Sequence, residues 1–272
     1  MKRMMSLWTV VALLALVPCA SRAQELLTNG NLNLLDEDGN PNPALYYSLP
    51  VGWTIDTDPC SYSPCSIVRY PGYPASYAEH SNPGGAGVNG VVFNSTEGDF
   101  PGYPDVIFVD ADLHQTVPGT PGTMYRMSGW AYFEGGFAGG VDTIATGTGT
   151  TREGLPSLTD VFFALEFLDA GNNVLPGSVT DYELKAHGQV NNPDPTEATR
   201  NWMQHVLTAT APAGTVNVRV RASMVDGEFN VDMPHQAAWV DDFSLTVVPE
   251  PASGLLGLWG LALAIAARRP RG

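Results

Sequence analysis

Lysine and arginine are scarce in this 272-residue chain, which has 13 basic residues against 28 Asp and Glu and a formal net charge of −15. A protein that binds nucleic acid needs clustered cations to neutralise phosphates, so this balance argues against a nucleic-acid partner. The length allows one large or two small domains, with a core that needs no metal or disulfide in order to fold.

The sequence also lacks the motifs of several common catalytic sites, among them His-Glu-x-x-His, Gly-x-Ser-x-Gly and Gly-x-x-x-x-Gly-Lys-Ser/Thr. Its five histidines are scattered, and no two have the spacing of metal ligands. We therefore expect no enzyme of these classes. A pair of carboxylates for glycoside hydrolysis stays open as an alternative, because so acidic a chain offers many such pairs.

Residues 1–23 have the three parts of a secretory signal peptide. Lys2 and Arg3 form a basic start, an apolar run extends from Leu7 to Val17, and Ser21-Arg22-Ala23 is a small-x-small cleavage site. The apolar run is short for a membrane span, which disfavours the alternative of an N-terminal anchor. The sequence predicts an exported protein.

The C-terminal segment 249–272 contains Pro249-Glu250-Pro251, an apolar run at 254–267 that predicts a hydrophobic helix, and a basic end with Arg268 and Arg269. This order closely resembles the PEP-CTERM sorting signal of exported bacterial proteins. The resemblance implies an exosortase-type processing enzyme as partner, with cleavage and delivery to the cell surface or extracellular matrix. The membrane would be contacted only through this segment, transiently, at the inner membrane. The alternative is a plain membrane anchor that is not cleaved.

Cysteine is rare, with 3 residues, and Cys19 would leave with the signal peptide. Cys60 and Cys65 remain in a Pro-containing loop of an exported chain, which predicts a local disulfide. A metal site is the weaker alternative, since no second cysteine pair or nearby histidine pair completes it.

Without its two ends the chain is more acidic than it first appears. Residues 24–248 carry 7 basic and 27 acidic residues, a net charge of −20, and their one lysine is Lys185. Such a surface repels nucleic acid and anionic lipid and attracts divalent cations.

No long helical period occurs in residues 24–248. Short runs rich in Val, Phe, Tyr and Thr alternate with Gly, Pro, Asn and Asp, which predicts an all-β fold with a single β-sandwich of the jelly-roll type. Thr215–Val225 alternates most clearly, and Val161–Asp169 is apolar on both faces, as in a central strand. A turn is expected at 169–173, and a hairpin that joins strands 106–117 and 123–133.

Several stretches of the chain resemble galactose-binding-like, carbohydrate-binding-module jelly rolls: Leu26–Asn33 followed by Pro50–Trp53, then Gln115–Pro118, Gly122–Ser128, Trp202 and Trp239–Leu245. Leu32 and Asn33 stand where those domains typically have Phe and Glu. The resemblance covers most of residues 24–247 and implies a jelly-roll fold and carbohydrate binding.

The last strand contains a carboxylate on a side that is otherwise apolar. Strict alternation places Asp241 with Trp239, Phe243, Leu245 and Val247. A buried carboxylate is costly unless it is paired or binds a metal. The resemblance implies a structural calcium ion held by Asp241 with Asn29 and Asn33. The alternative is a carboxylate capped by backbone N–H groups or by an arginine.

The predicted hairpin offers the best candidate for a ligand-binding surface. If its two apolar sides meet one core, the remaining side chains share an exposed face. Aromatic rings beside carboxylates and an arginine suit sugars, whose C–H faces stack while their hydroxyls form hydrogen bonds. The candidate residues are Asp112, His114, Arg126, Trp130, Tyr132 and Glu134. In the alternative, Trp130 and Tyr132 pack beneath a neighbouring loop.

The sequence as a whole predicts an exported, surface- or matrix-associated bacterial protein. Its expected role is non-catalytic: it binds carbohydrate or has a structural part in extracellular polysaccharide, with calcium as a possible structural ion. A hydrolase acting on that polysaccharide is one alternative. An adhesion or matrix protein without a small ligand is the other.

Overall fold

The computed structural model describes residues 23–34, 50–58, 67–69, 80, 90–94, 109–135, 137, 158–176, 178, 180–188, 191–192, 202–227 and 237–249. Four predictions lie outside these ranges: the signal peptide except its last residue, Ala23, the Cys60–Cys65 disulfide, the apolar helix at 254–267, and the sorting residues Glu250, Pro251, Arg268 and Arg269. Pro249 is described as an exposed residue after the last strand. Residues Glu25–Val248 form one compact unit.

The described residues contain eleven strands and one short 3-10 helix, Lys185–His187, with no α-helix. Within these residues, no helix has the length and hydropathy to span a membrane. The strands are β1 Thr54–Asp58, β2 Ile67–Arg69, β3 Val91–Asn94, β4 Val109–Pro118, β5 Met124–Glu134, β6 Asp160–Leu168, β7 Thr180–Glu183, β8 Asn191–Asn192, β9 Met203–Thr210, β10 Asn217–Gly227 and β11 Ala237–Val247.

The strands form two sheets. The five-stranded sheet has the order β1-β4-β10-β6-β7 and is antiparallel throughout. The six-stranded sheet has the order β2-β3-β11-β5-β8, and β9 also pairs with β5. Its pairs are antiparallel except for the short parallel pair of β5 and β8. The prediction of an all-β sandwich is confirmed.

Apolar side chains from both sheets form the main core. On β10, Val218, Val220, Ala222 and Met224 are all buried, as the period-two pattern predicts. Strand β6 lies inside its sheet between β10 and β7, which agrees with its apolar residues on both faces. The other large, fully buried members of this core include Phe93, Leu113, Met127, Phe133, Phe163, Leu165 and Phe167.

The turn predicted at 169–173 is confirmed. The Asp169 amide donates to the Asn173 carbonyl at 3.0 Å, and Leu168 bridges to Val174. Asn172 adopts a φ of 62°, a conformation that Asn tolerates better than most residues. The Asp169 carboxylate accepts hydrogen bonds from the Asn173 and Gly171 amides, which lowers its pKa.

The hairpin predicted at 106–133 is wrong, because β4 and β5 belong to different sheets. Strand β4 pairs with β1 and β10, whereas β5 pairs with β9, β11 and β8. The connecting residues bond to other segments: the Gly119 amide donates to the Val216 carbonyl at 2.7 Å and the Gly122 amide to the Ala211 carbonyl at 2.8 Å. The apolar sides of both strands meet in the core, so their polar sides lie on opposite surfaces of the sandwich.

The expected alternation along β11 is also wrong, because the strand contains a β-bulge. Its register against β5 shifts between Asp241 and Ser244, and Asp242 has a φ of 49°. Before the bulge, Trp239 packs with Tyr132 in a second cluster, and Asp241 pairs with Trp130. After the bulge, the side chains of Phe243 and Leu245 enter the main core. A bulge adds one residue to a strand and thereby reverses which side chains face inward.

A glycine in the centre of β5 makes room for two aromatic rings. A Cβ atom at Gly129 would lie 2.7 Å from the Phe243 ring and 2.9 Å from the Phe163 ring. These rings contact each other at 5.2 Å between centroids. The close approach of β5 to the opposite sheet therefore requires glycine at this position.

We expect Gly129→Ala to lower the free energy of unfolding by about 2 kcal/mol, because a crowded core must displace one of the two rings. Urea denaturation measures the loss. Thr208→Ala, at an exposed position of the paired strand β9, is the control and should change stability by less than about 0.5 kcal/mol. Equal effects of the two substitutions would contradict this account of the core.

Candidate functional site

The outer side of the five-stranded sheet carries a set of polar residues that we call the polar face: Asp112, His114, Glu166, Arg219, Arg221 and Ser223. Directly opposed residues of antiparallel strands point to the same side. The register therefore places Asp112 beside Ser223, His114 beside Arg221, and Arg219 beside Glu166. Strands β4, β6 and β10, which are far apart in the sequence, thus form one surface.

Glu166 is the centre of the polar face. Its residue is 2% exposed although it lies on the outward side of the sheet. Arg219 Nε donates to Glu166 Oε2 at 2.5 Å, and Arg221 donates to Oε1 through Nε at 3.1 Å and Nη2 at 2.6 Å. Two of the seven basic residues in 24–248 therefore bind one buried carboxylate.

Arg221 is fixed from every side of its guanidinium group. Besides Glu166, its Nη1 donates to Asp112 Oδ1 at 3.2 Å and to Ser223 Oγ at 2.7 Å. The Ser223 hydroxyl donates in turn to Asp112. The guanidinium carbon lies 5.1 Å from the centroid of the Phe162 ring, a cation–π distance. Burial acts to lower the pKa of Arg221, but its hydrogen bonds and its attraction to Glu166 and Asp112 outweigh this and raise the pKa.

Two further titratable groups on this side of the sheet are perturbed. Burial, and next the charge of Arg219, lowers the pKa of His114, so its imidazole is neutral at pH 7. Its Nε2 lies 3.5 Å from the exposed Asp56 carboxylate. Burial raises the pKa of Asp181 on β7, with Arg221 opposing the shift. Clusters of perturbed ionisable groups are typical of functional sites, which supports a function for the polar face.

The structure divides the six predicted ligand residues between two surfaces. Asp112 and His114 lie on the polar face, whereas Arg126, Trp130, Tyr132 and Glu134 belong to the six-stranded sheet. The prediction that all six share one exposed surface is wrong, because it depended on the β4–β5 hairpin. Sequence reasoning missed Glu166, Arg219, Arg221 and Ser223. The signal was present: Glu166 interrupts an apolar strand, and both arginines alternate with the buried valines of β10.

The aromatic residues of the six-stranded sheet pack into a second cluster. Tyr132 is fully buried with Trp239, and the Trp202 ring lies 5.8 Å from the Tyr132 ring. His80, from a segment before β3, stacks on Trp130 at 3.7 Å between ring centroids. This arrangement favours the alternative in which Trp130 and Tyr132 pack beneath a neighbouring segment. Two of the predicted ligand residues remain: Arg126 is exposed, and Glu134 is buried and accepts a hydrogen bond from the Ala237 amide at 2.9 Å.

Asp241 is fully buried, but on the outer side of its sheet. Its Oδ2 accepts from the His80 amide at 3.0 Å and its Oδ1 from the Asp242 amide at 2.7 Å. These contacts correspond to the alternative of a carboxylate capped by backbone N–H groups. Asp242 also holds the same histidine, with its Oδ2 2.9 Å from His80 Nδ1.

The other predicted calcium ligands have different partners. The Asn29 side chain donates through Nδ2 to the Leu34 and Val51 carbonyls, and its Oδ1 accepts from the backbone N–H of Leu34. The backbone nitrogen of Asn33 lies 3.5 Å from Asn31 Oδ1. These contacts join Asn29 to the residues at the two ends of its own loop, Leu34 and Val51. The described ranges contain no group of three or more His, Cys, Asp or Glu side chains arranged for a metal ion. Calcium binding stays a prediction.

A histidine–tyrosine group lies where β7 and β9 approach each other. The Tyr182 ring stacks on His187 at 3.5 Å and lies 5.2 Å from the ring of His205. His205 is 2% exposed and also contacts Phe163 edge-on at 5.9 Å. Burial, and next the charge of His187, lowers the pKa of His205 to about 4.

We expect Glu166→Gln to destabilise the protein by about 3 kcal/mol, because it leaves two guanidinium groups with a neutral partner in a buried place. Lys185→Gln is the matched control. It removes ion pairs with Asp160 and Glu183, whose side chains are 44% and 48% exposed, and should cost less than about 1 kcal/mol. Chemical denaturation compares the two variants. A loss at Glu166 no larger than that at Lys185 would refute the buried network.

His205 should make stability depend on pH in the acid range. Between pH 6.5 and about 4 the unfolded chain binds a proton at this position and the folded chain does not, so stability falls as the pH falls. The loss over this interval is about 3 kcal/mol. Unfolding curves at pH 4 and pH 7 should show that His205→Gln removes this part of the pH dependence. His187→Gln, at an exposed position, should retain most of it, because burial is the larger cause of the shift. Identical profiles for wild type and His205→Gln would disprove the assignment.

No protein-family model and no curated protein matches the chain. Solved structures with a similar chain path include the module TmCBM61 in complex with β-1,4-galactotriose, at 15% identity over 83% of this chain and 99% of that one, with a TM-score of 0.40. The Stig cyclase Fisc from Fischerella sp. TAU matches at 16% identity over 85% and 100%, with a TM-score of 0.43. The enzymatically active domain of tailspike protein 4 from bacteriophage CBA120 matches at 12% identity over 73% of this chain, with a TM-score of 0.43. This chain spans 20% of that tailspike chain.

Proposed function

We propose that residues 24–248 form a non-catalytic carbohydrate-binding domain and that the polar face holds the sugar. The observation that carries this proposal is the nearly inaccessible Glu166 on the outward side of the sheet, bound by Arg219 and Arg221. Burying charged groups costs free energy, and apolar side chains of similar volume stabilise a fold at least as well. The network therefore needs an explanation other than stability, and a ligand supplies one.

A polyhydroxylated ligand fits the chemistry of this surface. The polar face offers planar donors on its arginines, carboxylate acceptors on Asp112, and a neutral imidazole on His114 that can both donate and accept. Mutual hydrogen bonds hold the arginines and Asp112 in place before a ligand arrives, which reduces the entropy lost on binding. The face extends over neighbouring strands of a sheet, a shape that suits several units of a polymer.

The cellular setting is part of the same proposal. The signal peptide at 1–23 would export the chain, and the segment 249–272 would direct an exosortase-type enzyme to it. The domain would then act at the cell surface or in the extracellular matrix, where polysaccharide is its partner. Its net charge of −20 supports neutral sugars over nucleic acid or anionic lipid. Calcium would add stability without taking part in chemistry.

A hydrolase is the second candidate function, and one pair of residues favours it. Burial raises the pKa of Asp181, while two arginines bind Glu166 as a carboxylate. A carboxyl group with a raised pKa can serve as the acid in glycoside hydrolysis, and a second carboxylate can serve as the base. The release of reducing ends from polysaccharide, lost in both Glu166→Gln and Asp181→Asn, would establish this function in place of the first.

We expect the protein to be retarded in native gels that contain a binding polysaccharide, with xylan, galactan, glucan and mannan as probes. The double variant Asp112→Ala/His114→Ala should lose at least ten-fold in affinity, because it removes an acceptor and a neutral donor from the polar face. Thermal unfolding, with added calcium and with EDTA, would show that the variant folds and whether calcium raises Tm.

Arg126→Gln and Trp130→Ala are the controls on the other sheet. Arg126 is exposed, so its replacement changes the charge without touching the polar face. Both controls should retain wild-type retardation. Loss of binding in Trp130→Ala, with none in the double variant, would move the site to the six-stranded sheet. No retardation by any polysaccharide, and none on a glycan array, would instead favour a matrix protein without a small ligand.

A further inference from the structure

We infer that Arg219 is the residue of the polar face that contacts the sugar, and that the face selects neutral polysaccharides against those that carry uronic acids. The inference rests on the proposed function. It assigns different roles to two neighbouring arginines, one as a ligand-binding residue and the other as a positioning residue.

The hydrogen bonds of the two arginines differ. Every nitrogen of the Arg221 guanidinium donates within the protein: Nε and Nη2 to Glu166, and Nη1 to Asp112 and Ser223. Arg219 donates through Nε, to Glu166. Within the described part of the chain its two Nη groups are therefore available for a ligand, and its side chain is 23% exposed. A guanidinium presents such donors in one plane, which matches two adjacent oxygens of a ligand.

Arg219 is positioned through Glu166, and Glu166 through Arg221. One carboxylate oxygen of Glu166 accepts from Arg219 and the other from Arg221. Arg221 is itself anchored by Asp112 and Ser223 at the far end of the network. A chain of satisfied hydrogen bonds fixes the plane of the Arg219 fork, so the fork does not have to be ordered when a ligand binds.

The charges around the fork decide which ligand class it accepts. A carboxylate would suit the fork geometrically, but acidic groups outnumber basic ones on this side of the described sheet. Asp56, Asp112, Glu166 and Asp181 lie on the same side as Arg219 and Arg221. Two of these carboxylates also reach further into solvent: the Asp56 and Asp112 side chains are 69% and 37% exposed, against 23% and 18% for Arg219 and Arg221. His114 adds no positive charge at pH 7. A uronate would meet carboxylates first, whereas adjacent hydroxyls of a neutral sugar meet no such repulsion.

The test uses the full chain and matched probes: hexamers of β-1,4-glucan, β-1,4-galactan and β-1,4-mannan, and the same hexamers oxidised to the carboxylic acid at C6. Calorimetry should show that the wild-type protein binds at least one neutral hexamer at least ten-fold more tightly than its oxidised form. High salt should reduce this difference in affinity, because it screens the repulsion. Asp56→Asn, at an exposed position, should also reduce the difference in affinity, because it removes one of the repelling carboxylates.

Arg219→Gln should weaken binding of the neutral hexamer at least ten-fold, and Arg219→Lys should not restore it, because an ammonium keeps the charge but lacks the fork. The Tm of both variants shows whether they fold. If Arg219→Gln does not fold, the binding of the neutral hexamer by Arg219→Lys tests the role of the fork. Arg126→Gln is the control and should bind as the wild type does. Equal or tighter binding of an oxidised hexamer would overturn the selectivity, and wild-type binding by Arg219→Lys would overturn the role of the fork. If the wild type binds no hexamer of either kind and no glycan on the array, the proposed function itself fails.

Discussion

Apolar contact between the facing sides of the two sheets is the interaction on which the other features of this domain depend. Phe163 of β6 and Phe243 of β11 meet there at the open position that Gly129 leaves in β5. Any strand that contributes to such a core sends its alternate side chains outward. The polar residues of β4, β6 and β10 consequently collect on one outer surface. Glu166 reaches that surface from a strand whose other residues are mostly buried and apolar.

The bulge in β11 is the second constraint. Without it, Asp241 would enter the core together with Phe243, and a carboxylate would lie among aromatic rings at a high cost in desolvation. The extra residue turns Asp241 outward, where the His80 and Asp242 amides bind it. Asp242 adopts a positive φ, and its carboxylate holds the same histidine. Two adjacent aspartates thereby fix His80, whose ring covers Trp130.

Particular residues show how much of this could be predicted from the sequence. The alternation of Val218 with Arg219 gives the inner and outer sides of β10, because side-chain period is a local property. It does not show which strands pair, since pairing depends on contacts between distant segments. For that reason the sequence places Asp112 and His114 on one surface with residues of β5, which belongs to the other sheet. Their partner Glu166 is 54 residues from Asp112 in the sequence, and the register of β10 alone brings them together. The bulge was missed because nothing in Val-Asp-Asp-Phe indicates which residue adopts a positive φ.

Because basic residues are scarce, the pairing of two arginines with one carboxylate on the polar face is informative. In a segment with 7 basic and 27 acidic residues, carboxylates are abundant partners for a guanidinium group. The guanidinium groups of Arg219 and Arg221 nevertheless both bind Glu166, a carboxylate that solvent barely reaches. Stability does not account for this choice, because apolar residues would fill the same volume at no greater cost. The hydrogen bonds that offset the burial of Glu166 also hold Arg219 and Asp112 in fixed positions at the surface. Fixed polar groups of opposite charge, facing outward, are what recognition of a neutral polar ligand requires, and the proposed binding role rests on this arrangement.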